Sequence, residues 1–523
     1  MVSSSDSHRV PDPAADTTPM RLMRLGVASL FLLLVWAWLH FGGLAVPGAP
    51  LLVIAVLTGG YMAMNIGAND VANNVGPSVG SGALTMTGAV IIAAVFEAGG
   101  ALIAGGEVVG TIKSGIISPE MVPDTQSFIW LMTAALLAGA LWLNLATILG
   151  APVSTTHSIV GGVLGAGVAA GGLAIANWDV VGRIVASWVV SPFLGGVIAA
   201  VFLYLIKVLV LYRQDRVMAA RDVVPWIIAV MAWAFGTYLT IKGLDQVWQA
   251  TFLQANLVGL AVAAVVFAVV RKRIVDQAAT MANSTEGVNG LFTYPLIFAA
   301  ALLSFAHGAN DVANAIGPVA AINDAIREGD ITGEAQIPLW VMLIGALGLA
   351  VGLALFGPKL IRTVGSEITE LDKTRAFCIA LAAAITVIIA SQLGLPVSST
   401  HTALGAVFGV GFLREFLKTN YASRLHGILD QHQGPDREEL KAFLDDFRQA
   451  SVEEMEAMIK QVKKKRAEVN LSKKERKRLK KIYQEEMVKR HLLIRIAAAW
   501  VITVPASALL AAMLYFTIRG MMV

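Results

Sequence analysis

Charge is what this chain has least of. Only 15% of its 523 residues are Asp, Glu, Lys or Arg, and 56% are hydrophobic. A soluble domain carries about 25% charged residues and roughly 45–50% apolar ones. With a mean hydropathy of +0.69, this scarcity excludes a soluble enzyme carrying one greasy helix and points to a polytopic membrane protein. Cysteine is almost absent as well. The lone Cys378 excludes an internal disulfide framework and any Cys-based zinc or iron–sulfur centre. A signal-peptidase site is also missing. The first apolar run, residues 25–42, follows Arg21 and Arg24 and is not followed by a clear Ala-x-Ala pattern. It is longer than the usual core of a signal peptide, so a retained span is expected.

What the chain does have is apolar runs, near 48–66, 84–105, 128–149, 158–176, 180–210, 223–242, 251–270, 291–307, 337–357, 375–394, 402–413 and 493–518. A membrane span needs about 20 such residues. The run at 402–413 is too short to cross alone, and the run before it ends in Gly394-Leu395-Pro396. That pair reads as a re-entrant hairpin. Irregular backbone at bilayer depth is tolerated only where it is buried in protein or lines a cavity, so a functional site is expected there. Charge, scarce elsewhere, gathers at 414–492, which holds 20 of the 40 Lys and Arg and 14 of the 36 Asp and Glu. The net +4 of the whole chain is therefore +6 in this segment and −2 in the rest. Asp436 after Pro435 can cap a helix to about 468, and Ser472 with Glu475 forms a capping box for a second one. A solvated cytoplasmic helical hairpin is expected. Acidic and basic residues alternate there without a recognition motif, so no nucleic-acid partner is expected.

The sequence repeats internally. Asn65 to Pro77 matches Ala306 to Pro318, both built around Gly-Ala-Asn-Asp-Val-Ala-Asn. Leu149 to His157 matches Leu393 to His401, both built around Pro-Val-Ser-x-Thr-His. A weaker match pairs Arg183, Trp188 and Pro192 with Arg495, Trp500 and Pro505, the charged segment interrupting the second copy. Lys and Arg mark cytoplasmic connections. Arg21 and Arg24, Lys207 to Arg221, Arg271 to Arg273, Lys359 to Arg375 and 414–492 then lie inside, while the connections near 43–47, 171–179 and 243–249, with only Lys242 beside them, lie outside. Counting passes, the first hairpin enters from outside and the second from inside. The expected fold is an all-α polytopic membrane protein, an inverted-topology repeat transporter with two re-entrant helical hairpins. Its parts are a disordered cytoplasmic tail (1–20), an extra N-terminal transmembrane helix (21–45), repeat 1 (46–210, hairpin around 128–176), connecting helices and loops (211–290), the first part of repeat 2 (291–413, hairpin around 375–413), the charged insert (414–492) and a last helix (493–523).

Two carboxylates, Asp70 and Asp311, fall inside apolar runs, where each costs about 2.5–3.5 kcal/mol even on insertion scales. They must be paired, protonated or coordinating a cation. Gly67, Gly76-Pro77, Gly308 and Gly317-Pro318 are expected to break the helices and free carbonyls. Asn69, Asp70, Asn73, Asn310, Asp311 and Asn314 then offer hard oxygen ligands suited to Na⁺. The second motif gives a proline and a Ser/Thr cluster at a helix start, where free N–H groups and the positive end of the helix dipole favour an anion. Ser154, Thr155 and Thr156, with Ser398, Ser399 and Thr400, add hydroxyl donors. His157 and His401 are read as orienting these turns. A Ser–His nucleophile is conceivable, but its duplication argues against a single catalytic site.

The identity of the anion follows from its protons. Phosphate at neutral pH keeps P–OH groups that Asp70 and Asp311 can accept hydrogen bonds from, whereas sulfate would face bare carboxylates. Neither motif contains Lys or Arg. Two carboxylates beside phosphate therefore require coupling cations, and cation and phosphate binding are expected to depend on each other.

At these motifs the chain resembles the inorganic phosphate transporter family of the PiT type. The doubled Gly-x-Asn-Asp-x-x-Asn falls at Gly67 to Asn73 and Gly308 to Asn314, with both Pro-Val-Ser-x-Thr-His hairpins in order. The likeness covers roughly 46–413 and 493–518. It implies symport of inorganic phosphate with Na⁺ (or H⁺), a transport domain with re-entrant hairpins, and a scaffold that forms a homodimer. Val79 to Leu84 and Phe96 to Gly100 look like the Na⁺-coupled branch more than the H⁺-coupled, metal-phosphate one. Glu97 has no acidic partner in the second copy, and its role stands open between a cation pathway and buried structural hydrogen bonding. The extra first span and the insert vary within the family.

The expectation is thus a non-enzymatic secondary active importer in the plasma (inner) membrane, with the lipid bilayer as its surroundings and no cofactor beyond the coupling cation. Phosphate is expected to bind at Ser154, Thr155, Thr156, Ser398, Ser399, Thr400, Asp70, Asp311, Asn69 and Asn310. A sulfate or other oxyanion permease of the same fold, a passive anion channel and an intramembrane hydrolase are the alternatives.

Overall fold

The computed structural model describes residues 18–42, 49–149, 153–243, 248–328, 337–367, 371–417, 435–449, 458 and 490–522. The expected tail, the tip residues 150–152 and most of the charged insert, including its second capping box, lie outside the described residues. Helices come in the order α1 (Thr18–Phe41), α2 (Ala49–Gly80), α3 (Met86–Ala104), α4 (Gly106–Gly110), α5 (Thr125–Leu149), α6 (Thr155–Gly171), α7 (Trp178–Ile206), α8 (Arg216–Gly243) and α9 (Phe252–Ala278). They continue with α10 (Thr285–Leu291), α11 (Thr293–Glu328), α12 (Leu339–Glu367), α13 (Lys373–Gln392), α14 (Ser399–Leu417), α15 (Pro435–Gln449) and α16 (Arg490–Met522). No strand occurs among the described residues, only an isolated bridge from Ile117 to Ala176.

Among the described residues, eleven helices are long and apolar enough to cross a bilayer. The shorter helices α6 and α14, which follow the two Pro-Val-Ser motifs, do not belong to that set. Of the spans, α11 is the most thoroughly buried, and α2 and α5 come next after α13. These are the helices that carry or flank the motifs. The hydrophobic periphery is left to α1, α9 and α16, whose apolar windows are mostly exposed, as a lipid-facing surface requires.

The glycines of the first motif do not break their helices. α2 runs through Gly67 and Pro77, and α11 runs through Gly308 and Pro318. The expected loss of backbone bonds is replaced by another use of glycine, close helix contact. A Cβ on Gly67 would strike the backbone of Leu349 on α12, and one on Gly308 would strike the backbone of Glu97 on α3. The next pair behaves alike, since Gly100 abuts the backbone of Phe305 and Gly352 that of Met64. Copy one packs on copy two as copy two packs on copy one, so these contacts align a position that sequence comparison left unaligned: Glu97 corresponds to Leu349. The motif itself already pairs His307 with Ile66.

The arms are exchanged between the copies. α6 lies on α16, with Gly161 and Gly165 against the backbones of Val504 and Ala508. α14 lies on α7, with Gly405 and Gly409 against the backbones of Pro192 and Gly196. Away from the motifs, Lys113 sits in a π-helical turn after α4 and forms a buried ion pair with Asp324 near the end of α11, whose carboxylate also accepts from Asn323 at 3.1 Å.

Candidate functional site

Where α2 packs on α11, the starts of α6 and α14 meet them. Both turns are capped in the same way. The Ser154 hydroxyl accepts from the His157 amide at 3.1 Å, and the Ser398 hydroxyl accepts from the His401 amide at 3.2 Å. Two of the six expected hydroxyl ligands are therefore the N-caps of their helices. The two histidines then meet, ring centroids 4.5 Å apart, with His157 edge-on to Trp188. Trp188 in turn donates to the Pro396 carbonyl at 3.2 Å.

The first asparagine of each motif holds the turn of its own copy. Asn69 donates to Thr147 at 3.1 Å and accepts from the Val153 amide at 3.3 Å. Asn310 donates to Ser391 at 2.9 Å and to the Leu395 carbonyl at 3.1 Å, and accepts from the Val397 amide at 3.2 Å. The second asparagine reaches across. Asn73 donates to Thr400 at 2.8 Å, and Asn314 donates to Thr156 at 3.2 Å. Thr156 also donates to the Val397 carbonyl at 3.0 Å, which ties one turn to the other.

The aspartates stand between the turns. Asp70 accepts from Thr155 at 3.0 Å and from Thr400 at 3.0 Å, one hydroxyl from each copy. Asp311 accepts from Ser399 at 3.1 Å and, at 3.5 Å, from Thr155. Both carboxylates are buried, and Asp311 Oδ1 has no hydrogen-bond partner among the described residues. All twelve expected residues are buried in one cluster. Within it, Thr155, Ser399 and Thr400 bear on the carboxylates, while Asn69, Asn310, Ser154 and Ser398 serve the turns.

Sequence reasoning missed His307. Its Nε2 lies 3.0 Å from Asp311 Oδ2 and 3.6 Å from Asp70 Oδ2, and its Nδ1 lies 3.3 Å from Glu97 Oε1. Glu97 also accepts from Asn74 at 2.7 Å. The signal was present in the repeat itself: an imidazole directly before Gly308, where the other copy has isoleucine. Of the two roles left open for Glu97, the hydrogen-bonding one is visible in these contacts. One side of the cluster thus carries a His–Glu pair and the other carries Ile66 and Leu349.

What this arrangement offers is a buried site with two carboxylates, several hydroxyls and two helix N-termini. Threonine and serine hydroxyls donate to the aspartates, and neither motif contributes a lysine or arginine. Such chemistry suits cations held with an oxyanion. Together with the bundle of spans, it defines a multi-pass integral membrane protein with a transporter fold. The chain belongs to the phosphate transporter family, whose profile matches residues 66–511. A protein of Helicobacter pylori (strain J99) described as a phosphate permease is 52% identical over 503 residues, covering 94% of both chains. One of Pyrococcus furiosus, described in the same way, is 41% identical and covers 71% of this chain and 90% of its own. Among solved structures, a sodium-dependent phosphate transporter matches with a TM-score of 0.73 and 31% identity, over 90% of this chain and 99% of that one.

Proposed function

We propose that the chain is a secondary active symporter that imports inorganic phosphate on a Na⁺ gradient by alternating access. The observation that carries the reading is the sharing of Asp70 between Thr155 of one copy and Thr400 of the other. A carboxylate in that position accepts a hydrogen bond from a P–OH group of phosphate, while hydroxyls and helix N-termini donate to the other phosphate oxygens. The excess negative charge calls for cations, which Asp70, Asp311, Asn73 and Asn314 can ligate through oxygen. Asn69 and Asn310 contribute by holding the turns. The likeness to a transporter that depends on sodium supports Na⁺ over H⁺. The two copies are read as inverted in the membrane, the pairs α5–α6 and α13–α14 as re-entrant hairpins, the molecule as a homodimer, and the plasma membrane as its location.

Radiolabelled phosphate uptake into proteoliposomes tests this, with a Na⁺ gradient alone, a proton gradient alone and excess sulfate. Concentrative uptake under Na⁺ that sulfate does not inhibit is expected. Uptake that never exceeds equilibrium would make the protein a channel. Uptake driven equally well by protons alone would remove Na⁺ from the mechanism, and sulfate competing on equal terms would make it a general oxyanion permease. Hydrolysis of a phosphate ester would favour an enzyme.

A further inference from the structure

The cluster contains one nitrogen donor that a hard cation such as sodium does not select as a ligand, the imidazole Nε2 of His307. It faces Asp70 and Asp311, and together the three side chains offer ligand atoms all within 4.8 Å of one another. Both ring nitrogens approach carboxylates, yet neither makes a hydrogen bond of good geometry, and Asp311 Oδ1 is without a partner among the described residues. His307, Asp70 and Asp311 are all buried, and Nε2 faces one oxygen of each carboxylate.

Their spacing is informative. Two ligands bound to one ion at about 2.1 Å, at angles between tetrahedral and square, are separated by about 3.0–3.4 Å. His307 Nε2 lies 3.0 Å from Asp311 Oδ2, within that range, and 3.6 Å from Asp70 Oδ2, a few tenths of an ångström beyond it. Sodium, a hard cation, selects oxygen ligands, whereas imidazole suits zinc, copper, nickel and iron. Behind the ring, Glu97 stands 3.3 Å from Nδ1 and is itself held by Asn74 at 2.7 Å. A carboxylate behind a histidine is the arrangement that fixes the ring and leaves its other nitrogen to a metal. The site is one-sided, because Ile66 and Leu349 occupy the matching positions of the other copy.

We propose that Asp70, His307 and Asp311 form a binding site for one divalent transition-metal ion, oriented by Glu97, which competes with the coupling Na⁺. The inference rests on the transport reading for the word competes, and on the geometry alone for the metal site.

Cobalt(II) is the probe, because its visible bands report nitrogen ligation without any transport assay. Purified full-length protein in detergent, free of phosphate, is titrated with CoCl₂, and Zn²⁺ binding is followed by calorimetry. One ion per chain is expected, with apparent affinity falling as NaCl replaces choline chloride. His307→Ile, which installs the residue of the other copy, abolishes the bands. Glu97→Gln weakens binding by about 10–100-fold, the usual effect of losing an outer carboxylate. A joint His157→Gln and His401→Gln variant keeps the bands. Unchanged bands in His307→Ile, bands lost with His157 and His401, or no ion bound to folded protein would each overturn the proposal. Should His307→Ile fail to fold, Glu97→Gln decides, and full affinity in that variant counts against the site. Sodium-driven phosphate uptake is measured on the same preparation. Uptake without a cobalt site sinks this inference alone, and a cobalt site insensitive to NaCl sinks the competition with Na⁺.

Discussion

Asp70 and Asp311 are equivalent by sequence and unequal in their surroundings. Asp70 receives threonine hydroxyls from both turns, whereas Asp311 takes Ser399 and the imidazole of His307 and keeps one oxygen without a hydrogen bond. Replacing either by asparagine keeps the size and removes the charge, and uptake of radiolabelled phosphate is expected to vanish in both variants. Thr400→Val is a finer test. It strips a hydroxyl from a buried carboxylate, a loss of about 1.5–3 kcal/mol, and the KM for phosphate should rise by roughly tenfold or more. Full transport by both aspartate variants would detach the site from the function. The aspartates were legible because charge in an apolar run is costly enough to need a reason. The division of labour around them was not. A motif written Asn-Asp-x-x-Asn does not say that its first asparagine holds the local turn while its second binds a hydroxyl of the other copy, because that depends on how two distant segments meet. His307 escaped for a related reason. A histidine in a buried run has ordinary packing roles, so its departure from Ile66 of the other copy was easily passed over, and its contact with Glu97, far away in sequence, is visible only in the fold.

Helices α2 and α11 are continuous through residues that ordinarily end helices. Glycine in the interior of a helix costs about 1 kcal/mol relative to alanine, so its retention at Gly67 and Gly308 needs a compensating gain. The gain is backbone contact with Leu349 and Glu97, too close for any side chain. Gly67→Ala is therefore expected to push α2 from α12 and destabilise the protein by about 1–3 kcal/mol, measured as a lower Tm in detergent. Gly99→Ala is the control, since a Cβ there meets nothing within 4 Å, and its Tm should hold or rise slightly. Equal effects of the two substitutions would dismiss close packing as the reason for Gly67. The sequence displayed these glycines as helix breakers, and by composition that was the natural reading. Breaking and close approach use the same residue, and a single strand of text does not show which neighbour is near.

At the scale of the molecule, most of the long apolar helices were readable from hydropathy, because apolar length is a direct physical requirement of the bilayer. The run at 158–176 belongs to α6, which is not among the helices long and apolar enough to cross. Orientation is argued only through Lys and Arg, and it is open to a direct test. In a Cys378→Ser background, Met121→Cys lies between α4 and α5, and Glu286→Cys lies between α9 and α11. A membrane-impermeant maleimide added to intact cells should label the first and spare the second, and labelling of both from outside would contradict the inverted arrangement. The exchange of arms between the copies carries a different consequence, one for biosynthesis. Helix α6 emerges from the ribosome early, but the surface it packs on, α16, is made after all the other described helices. Until α16 is made, the first turn, with Thr155 and Thr156, has no final seat. A chain stopped before α16 would thus leave the membrane with an unsupported arm rather than half a transporter, a form suited to recognition and removal by quality-control proteases.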